Sequence, residues 1–369
     1  MSAERSLTKH LSWTTVTPLI ALGALILLAG SQELGAGPAL LVAVVLGAAV
    51  FAAVEHAEVV AHRVGEPFGS LVLAVAVTII EVSLILTLMA SGGPETATLA
   101  RDTVFAALMI TTNGIAGFAL IMGSRRYGVT LFHAEGSGSA LATVITLAAL
   151  SLVLPTFTTT HAGPEYAPNQ LAFAAIASLA VYLMFVFTQT VRHRDFFLPV
   201  QQKKKSITVV DTHADPPSTA EALVSLVFLL IALVAVVGLA EAESPVLERA
   251  AAAAGLPHSV VGVVIAALVL APETVAAARA ARQGRIQTSL NLSYGSAIAS
   301  IGLTIPAIAL SSVWIKGPLA LGLGPTQLVL LVLTFLISML TVVPGRATRL
   351  QGELHLVVLA AFIFLAVSP

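Results

Sequence analysis

The sequence comprises 369 residues, of which 57% are hydrophobic and only 10% are charged. Because a soluble domain carries about 25% charged residues, this composition excludes an ordinary soluble protein and indicates a polytopic membrane protein. The formal net charge of −1 provides no global field for nucleic-acid binding, and the absence of cysteine excludes disulfides, thiolate metal sites and cysteine nucleophiles.

Apolar segments of membrane-spanning length follow one another along the chain. A bilayer core of about 30 Å needs about 20 apolar residues per helix. The first segment follows a basic N-terminus without a small-residue cleavage site, so we predict a transmembrane helix there rather than a signal peptide. We predict an all-α membrane protein with about eleven spans, at 13–30, 38–61, 67–90, 101–122, 137–155, 170–190, 220–240, 258–280, 290–312, 324–343 and 354–368.

The lysine and arginine residues test this count independently. With a cytoplasmic N-terminus, 15 of the 18 basic residues fall in cytoplasmic loops, and only Arg101, Arg249 and Lys316 fall outside. This asymmetry follows the positive-inside rule. It predicts a cytoplasmic N-terminus and an external C-terminus.

A polar stretch between the sixth and seventh segments divides the chain. Five segments precede it, setting the first aside, and five follow it. An odd number of spans per half turns the halves upside down relative to each other, as in many secondary transporters. The predicted organisation is an N-terminal tail with the first helix, a five-helix repeat, a cytoplasmic linker and a second, inverted five-helix repeat, at 1–34, 35–191, 192–219 and 220–369.

Each half carries one acidic residue inside its second helix. Glu81 lies in LVLAVAVTIIEVSLILTLMA and Glu273 in VVGVVIAALVLAPETVAAARAAR. At 1.5 Å per residue, the two acids lie about 21–23 Å from opposite faces of the membrane, Glu81 from the cytoplasmic face and Glu273 from the external face. A lone ionised carboxylate at that depth costs about 2.5–3.5 kcal/mol on insertion scales. We predict that the two carboxylates share a site; the alternative is that each is a neutral packing residue.

Other polar groups near these acids are candidate oxygen ligands. Pro272 directly precedes Glu273 and removes an intrahelical hydrogen bond, which frees carbonyl groups that can face a cation. Taken singly, hydroxyl groups in such helices are usually packing groups. As a set beside two acids they suit a cation site, and in the next helix of each half they are Thr111, Thr112 and Asn113, then Asn291, Ser293, Ser296 and Ser300.

An all-oxygen site of this kind suits hard cations, since Ca²⁺ takes about 6–8 oxygen ligands. The absence of cysteine, and of histidine from the central helices, argues against Cu⁺ and Zn²⁺. Two close carboxylates in a low dielectric repel each other and resist ionisation. Protons therefore replace a departing cation, and the pattern predicts cation/proton exchange.

Two stretches carry a family likeness, AEVVAHRVGEPFGSLVLAVAVTIIE and VLAPETVAAARAARQGRIQTSLNLSYGSAIAS. With them the sequence resembles the Ca²⁺/H⁺ exchanger branch of the cation/Ca²⁺ exchanger superfamily, and within it the bacterial ChaA-type antiporters. The resemblance implies a transported Ca²⁺ bound by Glu81 and Glu273. The positions that fit the family's motifs are Glu58, Ala61, Gly65, Gly69, Glu81, Glu273, Gly295 and Ser296.

The sequence departs from the family's pattern at other positions. The asparagine of the acidic motif is Thr78 in the first half and Leu270 in the second, and the histidine after the second glutamate is Thr274. These departures remove ligands, so the resemblance implies that Na⁺ or K⁺ are substrates besides Ca²⁺. The predicted cation- and proton-binding residues are Glu81, Glu273, Asn113, Thr78, Ser296 and Ser300.

Acidic residues near the cytoplasmic end of the second segment admit two interpretations. Glu55 and Glu58 either form a vestibule that attracts cations or are interfacial residues in water; the motif match favours a function for Glu58. We expect loop or interface positions for His133, His161 and His355.

The sequence as a whole predicts a secondary active antiporter in a bacterial plasma (inner) membrane, not an enzyme. It would export Ca²⁺, and by the resemblance Na⁺ or K⁺, in exchange for H⁺ by alternating access. The alternatives are an uncoupled cation channel or another cation transporter, and an intramembrane enzyme. Without a P-loop we expect no nucleotide, and the expected partners are the lipid bilayer, cations and protons, without nucleic acid or a cofactor; the oligomeric state stays open.

Overall fold

A computed structural model describes most of the chain, and nearly all of that part is helical. The described residues are 12–28, 36–65, 68–91, 96–203, 206–209, 217–257, 259–314 and 317–369. Within them, nine helices are long and apolar enough to cross a membrane, and a bent pair of helices makes a tenth span. Trp13–Leu28 is apolar but has only 16 residues. The all-α polytopic class is confirmed, while the count of eleven stays a prediction.

The chain forms two compact units, Met1–Gly92 with Ala214–Gly255 and Gly93–His213 with Leu256–Pro369. Each unit thus takes segments from both predicted sequence halves. The repeat boundaries describe internal similarity rather than compactness, so they stay a prediction.

The first unit consists of four helices: α1 (Trp13–Leu28), α2 (Ala36–Val64), α3 (Phe68–Ser91) and α9 (Thr219–Ala253). Its long helix α9 begins at a capping box, in which the backbone N–H of Glu221 donates to Oγ of Ser218 at 3.2 Å. Beside this start, Arg63 at the end of α2 donates to Oγ1 of Thr219 at 2.7 Å. These contacts bring the end of the second predicted span and the start of the seventh to the same side, as the alternating topology requires.

The second unit contains the remaining elements, which run from residue 99 to residue 367. Its α-helices are α4 (Leu99–Met109), α5 (Ala116–Tyr127), α6 (Ala134–Ala148), α7 (Leu154–Phe157), α8 (Pro168–Phe187), α10 (Ser259–Val269), α11 (Ala271–Arg282), α12 (Ile286–Ser311), α13 (Pro325–Val342) and α14 (Arg349–Val367). Its strands are β1 (Val129–Leu131), β2 (Val200–Lys203), β3 (Ser206–Val209) and β4 (Arg346–Thr348).

Loops predicted on the cytoplasmic side lie together in the second unit. Strand β1 pairs antiparallel with β4, which joins the loop between α5 and α6 to the loop between α13 and α14. The backbone N–H of His133 donates to Oε1 of Gln287 at 2.8 Å. Asn291 donates from Nδ2 to the carbonyl of Phe197 at 2.6 Å, so the start of the linker is tied to α12.

Loops predicted on the external side meet at the opposite end of the same unit. The backbone N–H of Ala320 donates to the carbonyl of Ala97 at 3.0 Å, and that of Gly322 to Pro164 at 2.9 Å. Arg101 also donates to the carbonyl of Gly322 at 3.2 Å. The grouping of both sets of loops agrees with the predicted alternation of spans, while the assignment of inside and outside stays a prediction.

Three spans contain a short π-helical segment that the hydrophobic pattern did not predict. These segments are Ile110–Ile115, Ala149–Val153 and Thr188–Arg192. One extra residue per turn leaves a carbonyl group without its usual partner, and such turns are frequent at functional sites. The first joins α4 to α5 and contains three of the predicted polar residues.

Candidate functional site

Glu81 lies in the interior of an uninterrupted helix. It is only 4% exposed, and Thr78, three residues earlier in α3, is 8% exposed. Residues three apart share a face of a helix, so this side of α3 presents a hydroxyl beside a carboxylate. The sequence prediction of a buried acid in this span is therefore confirmed, and its function as a ligand stays a prediction.

Glu273 lies immediately after a break between two helices. Helix α10 ends at Val269, α11 begins at Ala271, and their axes differ by 54°. Pro272 occupies the first turn of α11, where its missing N–H removes the hydrogen bond that would continue α10. The predicted disruption is confirmed, and it puts Glu273 in the first turn of α11, where the free N–H groups and the dipole favour a carboxylate.

The π-helical segment Ile110–Ile115 holds three fully buried polar side chains. Thr111 donates to the carbonyl of Ala107 at 2.7 Å, and Thr112 donates to that of Leu108 at 2.6 Å. Both hydroxyl groups therefore satisfy carbonyl groups of their own helix, which is the packing interpretation. Their oxygen lone pairs remain acceptors, but their hydrogens are committed to the backbone.

Asn113, in contrast, reaches across to other helices. Its Nδ2 donates to Oγ1 of Thr334 in α13 at 2.9 Å. A ring nitrogen of His355 in α14, Nδ1, lies 3.0 Å from its Oδ1. Asn113 and His355 are both fully buried. The expectation of a loop or interface position for His355 is wrong, because α14 begins at Arg349 and carries His355 into the interior.

The predicted hydroxyl ligands of α12 differ in their surroundings. Ser293 donates to the carbonyl of Thr111 at 2.6 Å, so it ties α12 to the π-helical segment. Ser300 is 5% exposed, and Ser296, one turn earlier, is half-buried. Asn291 donates from Nδ2 to the carbonyl of Phe197, so its amide is engaged with the linker.

The acidic residues near the end of α2 are exposed, whereas the histidine between them is buried. Glu55 and Glu58 are exposed and His56 is 5% exposed. His56 stacks on Phe228 of α9 with ring centroids 5.4 Å apart. Nε2 of the same ring lies 2.9 Å from the carbonyl oxygen of Thr14. These contacts make His56 a packing residue of the first unit and leave both interpretations of the two glutamates open.

A buried ion pair that the sequence did not predict lies at the predicted external end of α4. Asp102 is 4% exposed, and Arg101 contacts its Oδ1 at 2.8 Å. Gln327 donates to the same oxygen at 3.1 Å, and Thr98 donates to Oδ2 at 2.8 Å. A cavity of about 270 Å³ adjoins this pair. Because the carboxylate is fully engaged, the arrangement ties α4 to the start of α13.

The predicted ligands divide between the two units. Glu81 and Thr78 belong to the first, whereas Glu273, Asn113, Ser296 and Ser300 belong to the second. Among the described residues no cluster of three or more histidine, aspartate and glutamate side chains could hold a metal ion. The shared site of Glu81 and Glu273 stays a prediction.

Comparison with known proteins supplies an independent view of the whole chain. A protein of Sinorhizobium fredii named y4hA is 43% identical over 363 residues, which is 97% of this chain and 96% of the relative. The sodium-potassium/proton antiporter ChaA of Escherichia coli is 32% identical over 358 residues, 96% of each chain.

Solved structures share the fold at low identity. The structure of native YfkE covers 96% of this chain and 100% of its own, with a TM-score of 0.72 and 15% identity. That of the H⁺/Ca²⁺ exchanger CAX covers 96% and 92%, with a TM-score of 0.65 and 16% identity. The family model for the sodium/calcium exchanger protein matches residues 34–191 and 224–368. The chain therefore belongs to the sodium/calcium exchanger family, a family of membrane transporters rather than enzymes.

Proposed function

We propose that this protein is a secondary antiporter that exchanges Ca²⁺, and also Na⁺ or K⁺, for protons. The observation that carries this proposal is that both spans predicted to bind the ion contain a carboxylate, Glu81 in α3 and Glu273 at the break before α11. A carboxylate inside the membrane is costly unless a cation or a proton neutralises it. Alternate neutralisation by the two is cation/proton exchange.

The break in the second acid-bearing span supports a transport site in particular. Discontinuous helices recur at the ion sites of secondary transporters, where half-helix ends and unwound carbonyl groups contact ions. In this chain the break is bounded by Val269 and Ala271. The span therefore combines two features that such a site needs, the charged carboxylate of Glu273 and carbonyl groups released from the helix at the break.

The names of relatives support both classes of ion. The Escherichia coli relative is named a sodium-potassium/proton antiporter. A Ca(2+)/H(+) antiporter of Aphanothece halophytica is 25% identical over 328 residues, 85% of this chain and 87% of the relative. Ca²⁺ prefers about 6–8 oxygen ligands. We propose that a carboxylate pair with few further oxygen ligands is less selective for Ca²⁺ and also accepts monovalent ions.

The protein is a multi-pass membrane protein, and we propose the bacterial plasma membrane as its location. The basic residues favour a cytoplasmic N-terminus and an external C-terminus. The loops of the second unit group by predicted side, with β1 against β4 at one end. In this orientation Glu55 and Glu58 would be a cytoplasmic vestibule for entering cations.

Proteoliposomes with an imposed pH gradient test the exchange directly. Ca²⁺, Na⁺ and K⁺ are added in turn, and proton movement is followed with a pH-sensitive dye. We expect cation-evoked proton movement that Glu81→Gln and Glu273→Gln each reduce by about 100-fold, equivalent to about 2.7 kcal/mol. Glu353→Gln is the matched control, since Glu353 forms an exposed pair with Arg349 at 2.6 Å, and exposed pairs contribute only about 0–1 kcal/mol.

Three outcomes would overturn parts of this proposal. Wild-type protein that moves no protons with any of the three ions would rule out coupled exchange of them. Cation flux that ignores the pH gradient would indicate an uncoupled channel instead. Normal exchange by both glutamine variants would leave the antiporter class intact but remove Glu81 and Glu273 from its site.

A further inference from the structure

A buried histidine contacts one of the predicted ligands from a different helix. His355 is the seventh residue of the 19-residue helix α14 and is fully buried. In the tautomer with its proton on Nδ1, the ring donates to Oδ1 of Asn113 at 3.0 Å. Its Nε2 lies 3.5 Å from Oγ1 of Thr341, a hydroxyl that already donates to the carbonyl of Ile337 at 2.8 Å. The contact with Asn113 is therefore the stronger of the two.

Two glycines allow this contact by bringing the helices together. A Cβ atom added at Gly117 would lie 2.9 Å from Cβ of His355 and 3.0 Å from the carbonyl oxygen of Gly352. One added at Gly352 would lie 2.7 Å from the carbonyl oxygen of Gly117. Small residues at such crossings let backbones approach closely. The glycine pair thus brings α14 close to α5 about one turn after Asn113.

The amide of Asn113 is held at both of its ends. In the same tautomer Oδ1 accepts from Nδ1 of His355, while Nδ2 donates to Oγ1 of Thr334 at 2.9 Å. The hydroxyl of Thr334 in turn donates to Sδ of Met109 at 3.5 Å. In the tautomer with the ring proton on Nδ1, an amide rotated by 180° would set its NH₂ group against the donating ring nitrogen, so this tautomer selects one amide orientation. The carbonyl oxygen has two lone pairs, and His355 uses only one.

We propose that His355 is a positioning residue for Asn113, fixing the amide so that its oxygen, rather than its NH₂ group, serves the transported cation. This inference rests on the proposed function, in which Asn113 is a ligand. His355 acts as a hydrogen-bond donor and does not itself contact the ion. Loss of a residue that orients a metal ligand typically weakens metal affinity by about 10–100-fold. Positioning of Asn113 by His355 should therefore be measurable as cation affinity.

Replacement of the ring tests the inference in reconstituted protein. His355→Phe fills the space but removes the donor, and we expect the half-saturating cation concentration to rise by about tenfold with a smaller change in maximal rate. His355→Asn retains an N–H near the position of Nδ1, and we expect it to restore the affinity to within about twofold. Ser178→Ala is the control, since it removes a buried interhelical hydrogen bond, to Ser151 at 3.1 Å, that touches no predicted ligand.

A double-variant cycle separates positioning from general damage. In the Asn113→Ala background, His355→Phe should cause no further loss of affinity, because residues acting through one contact are not additive. Thermal unfolding in detergent, with and without the cation, checks that each variant folds and reports binding without transport. Additive losses in the cycle, or equal affinity losses in His355→Phe and Ser178→Ala, would overturn the inference.

The same measurements distinguish failure here from failure of the proposed function. If wild-type protein exchanges ions, and Glu81→Gln and Glu273→Gln abolish exchange, the proposed function stands. Unchanged cation affinity in His355→Phe under those conditions would then refute only the positioning of Asn113 by His355, and not the proposed function. Absence of exchange in the wild-type protein, in contrast, would remove the foundation of both.

Discussion

The two acid-bearing spans occupy matching places in the sequence but have different backbones. Helix α3 runs without interruption over 24 residues from Phe68 to Ser91, and its carboxylate is 4% exposed. The second span is bent by 54° between α10 and α11, and Glu273 is half-buried in the first turn of α11. One carboxylate thus extends from a continuous helix and the other from the start of a helix that follows a bend.

Because the backbones differ, the peptide groups around the two acids favour a negative charge to different extents. In the interior of α3 the backbone N–H groups are bonded within the helix, so they do not balance the charge of Glu81. At the start of α11 the free N–H groups and the positive end of the helix dipole face Glu273, and they favour a negative charge. We therefore expect unequal tolerance to substitution.

Shortening each side chain should reveal the inequality most strongly. Glu81→Asp withdraws the carboxylate by one methylene from a backbone that cannot follow, and we expect exchange to fall by about 100-fold, as for a displacement of about 1 Å at a reacting group. Glu273 follows a break between two helices, where we expect the backbone to adjust to a shorter side chain. We therefore expect Glu273→Asp to reduce exchange by only about tenfold. Initial exchange rates in proteoliposomes measure both.

Equal losses in the two variants would contradict this comparison, and a larger loss in Glu273→Asp would reverse it. Reconstituted amounts are matched by quantifying protein in the vesicles. Glu353→Asp provides the baseline for shortening a glutamate, because Glu353 lies in an exposed pair with Arg349.

Removal of Pro272 should make the bent span α10–α11 more like the continuous helix α3. In Pro272→Ala an N–H is restored, which can donate to the carbonyl of Leu268 and continue α10 into α11. We expect exchange to fall by about tenfold as Glu273 moves, while the protein remains folded. Pro18→Ala is the control, since Pro18 also lies inside a helix, α1, but in a segment without a predicted ligand. Wild-type exchange by Pro272→Ala would show that transport does not depend on the break.

Much of this architecture follows from the sequence, because the dominant signals are local. Runs of about 20 apolar residues predict spans, and Pro272 predicts the break, since a proline cannot complete the helix. The burial of Glu81 followed from its position within such a run. These features depend on the chain near each residue and hardly on what packs against it.

The interior contacts of the site could not be predicted in the same way. His355 is the second residue of the predicted span 354–368, and an interface position was expected for it. The close crossing of Gly117 and Gly352 instead buries it against Asn113. The π-helical segment that carries Asn113 has no distinct hydrophobic period. Glycines in two apolar segments were the available signal, but which helices they join depends on tertiary packing.

The residues beside each acid offer the smallest and most local test of the comparison. Thr78 is buried one turn before Glu81, whereas Thr274, directly after Glu273, is exposed and donates to the carbonyl of Leu270 at 2.7 Å. In Thr78→Val a candidate oxygen ligand is lost at nearly constant shape, and we expect the half-saturating cation concentration to rise by about threefold to tenfold, as for one hydrogen-bond-like contact of about 1 kcal/mol.

Thr274→Val should change the same constant by less than about twofold, because its hydroxyl already serves its own backbone and valine keeps a similar volume. Each valine variant is measured with Ca²⁺ and with Na⁺, since loss of one oxygen should weaken binding of the ion that needs more ligands, Ca²⁺, more than that of Na⁺. A greater effect at Thr274 would mean that the bent span, rather than α3, supplies the additional ligand. It would also mean that the exposed start of α11 faces the ion.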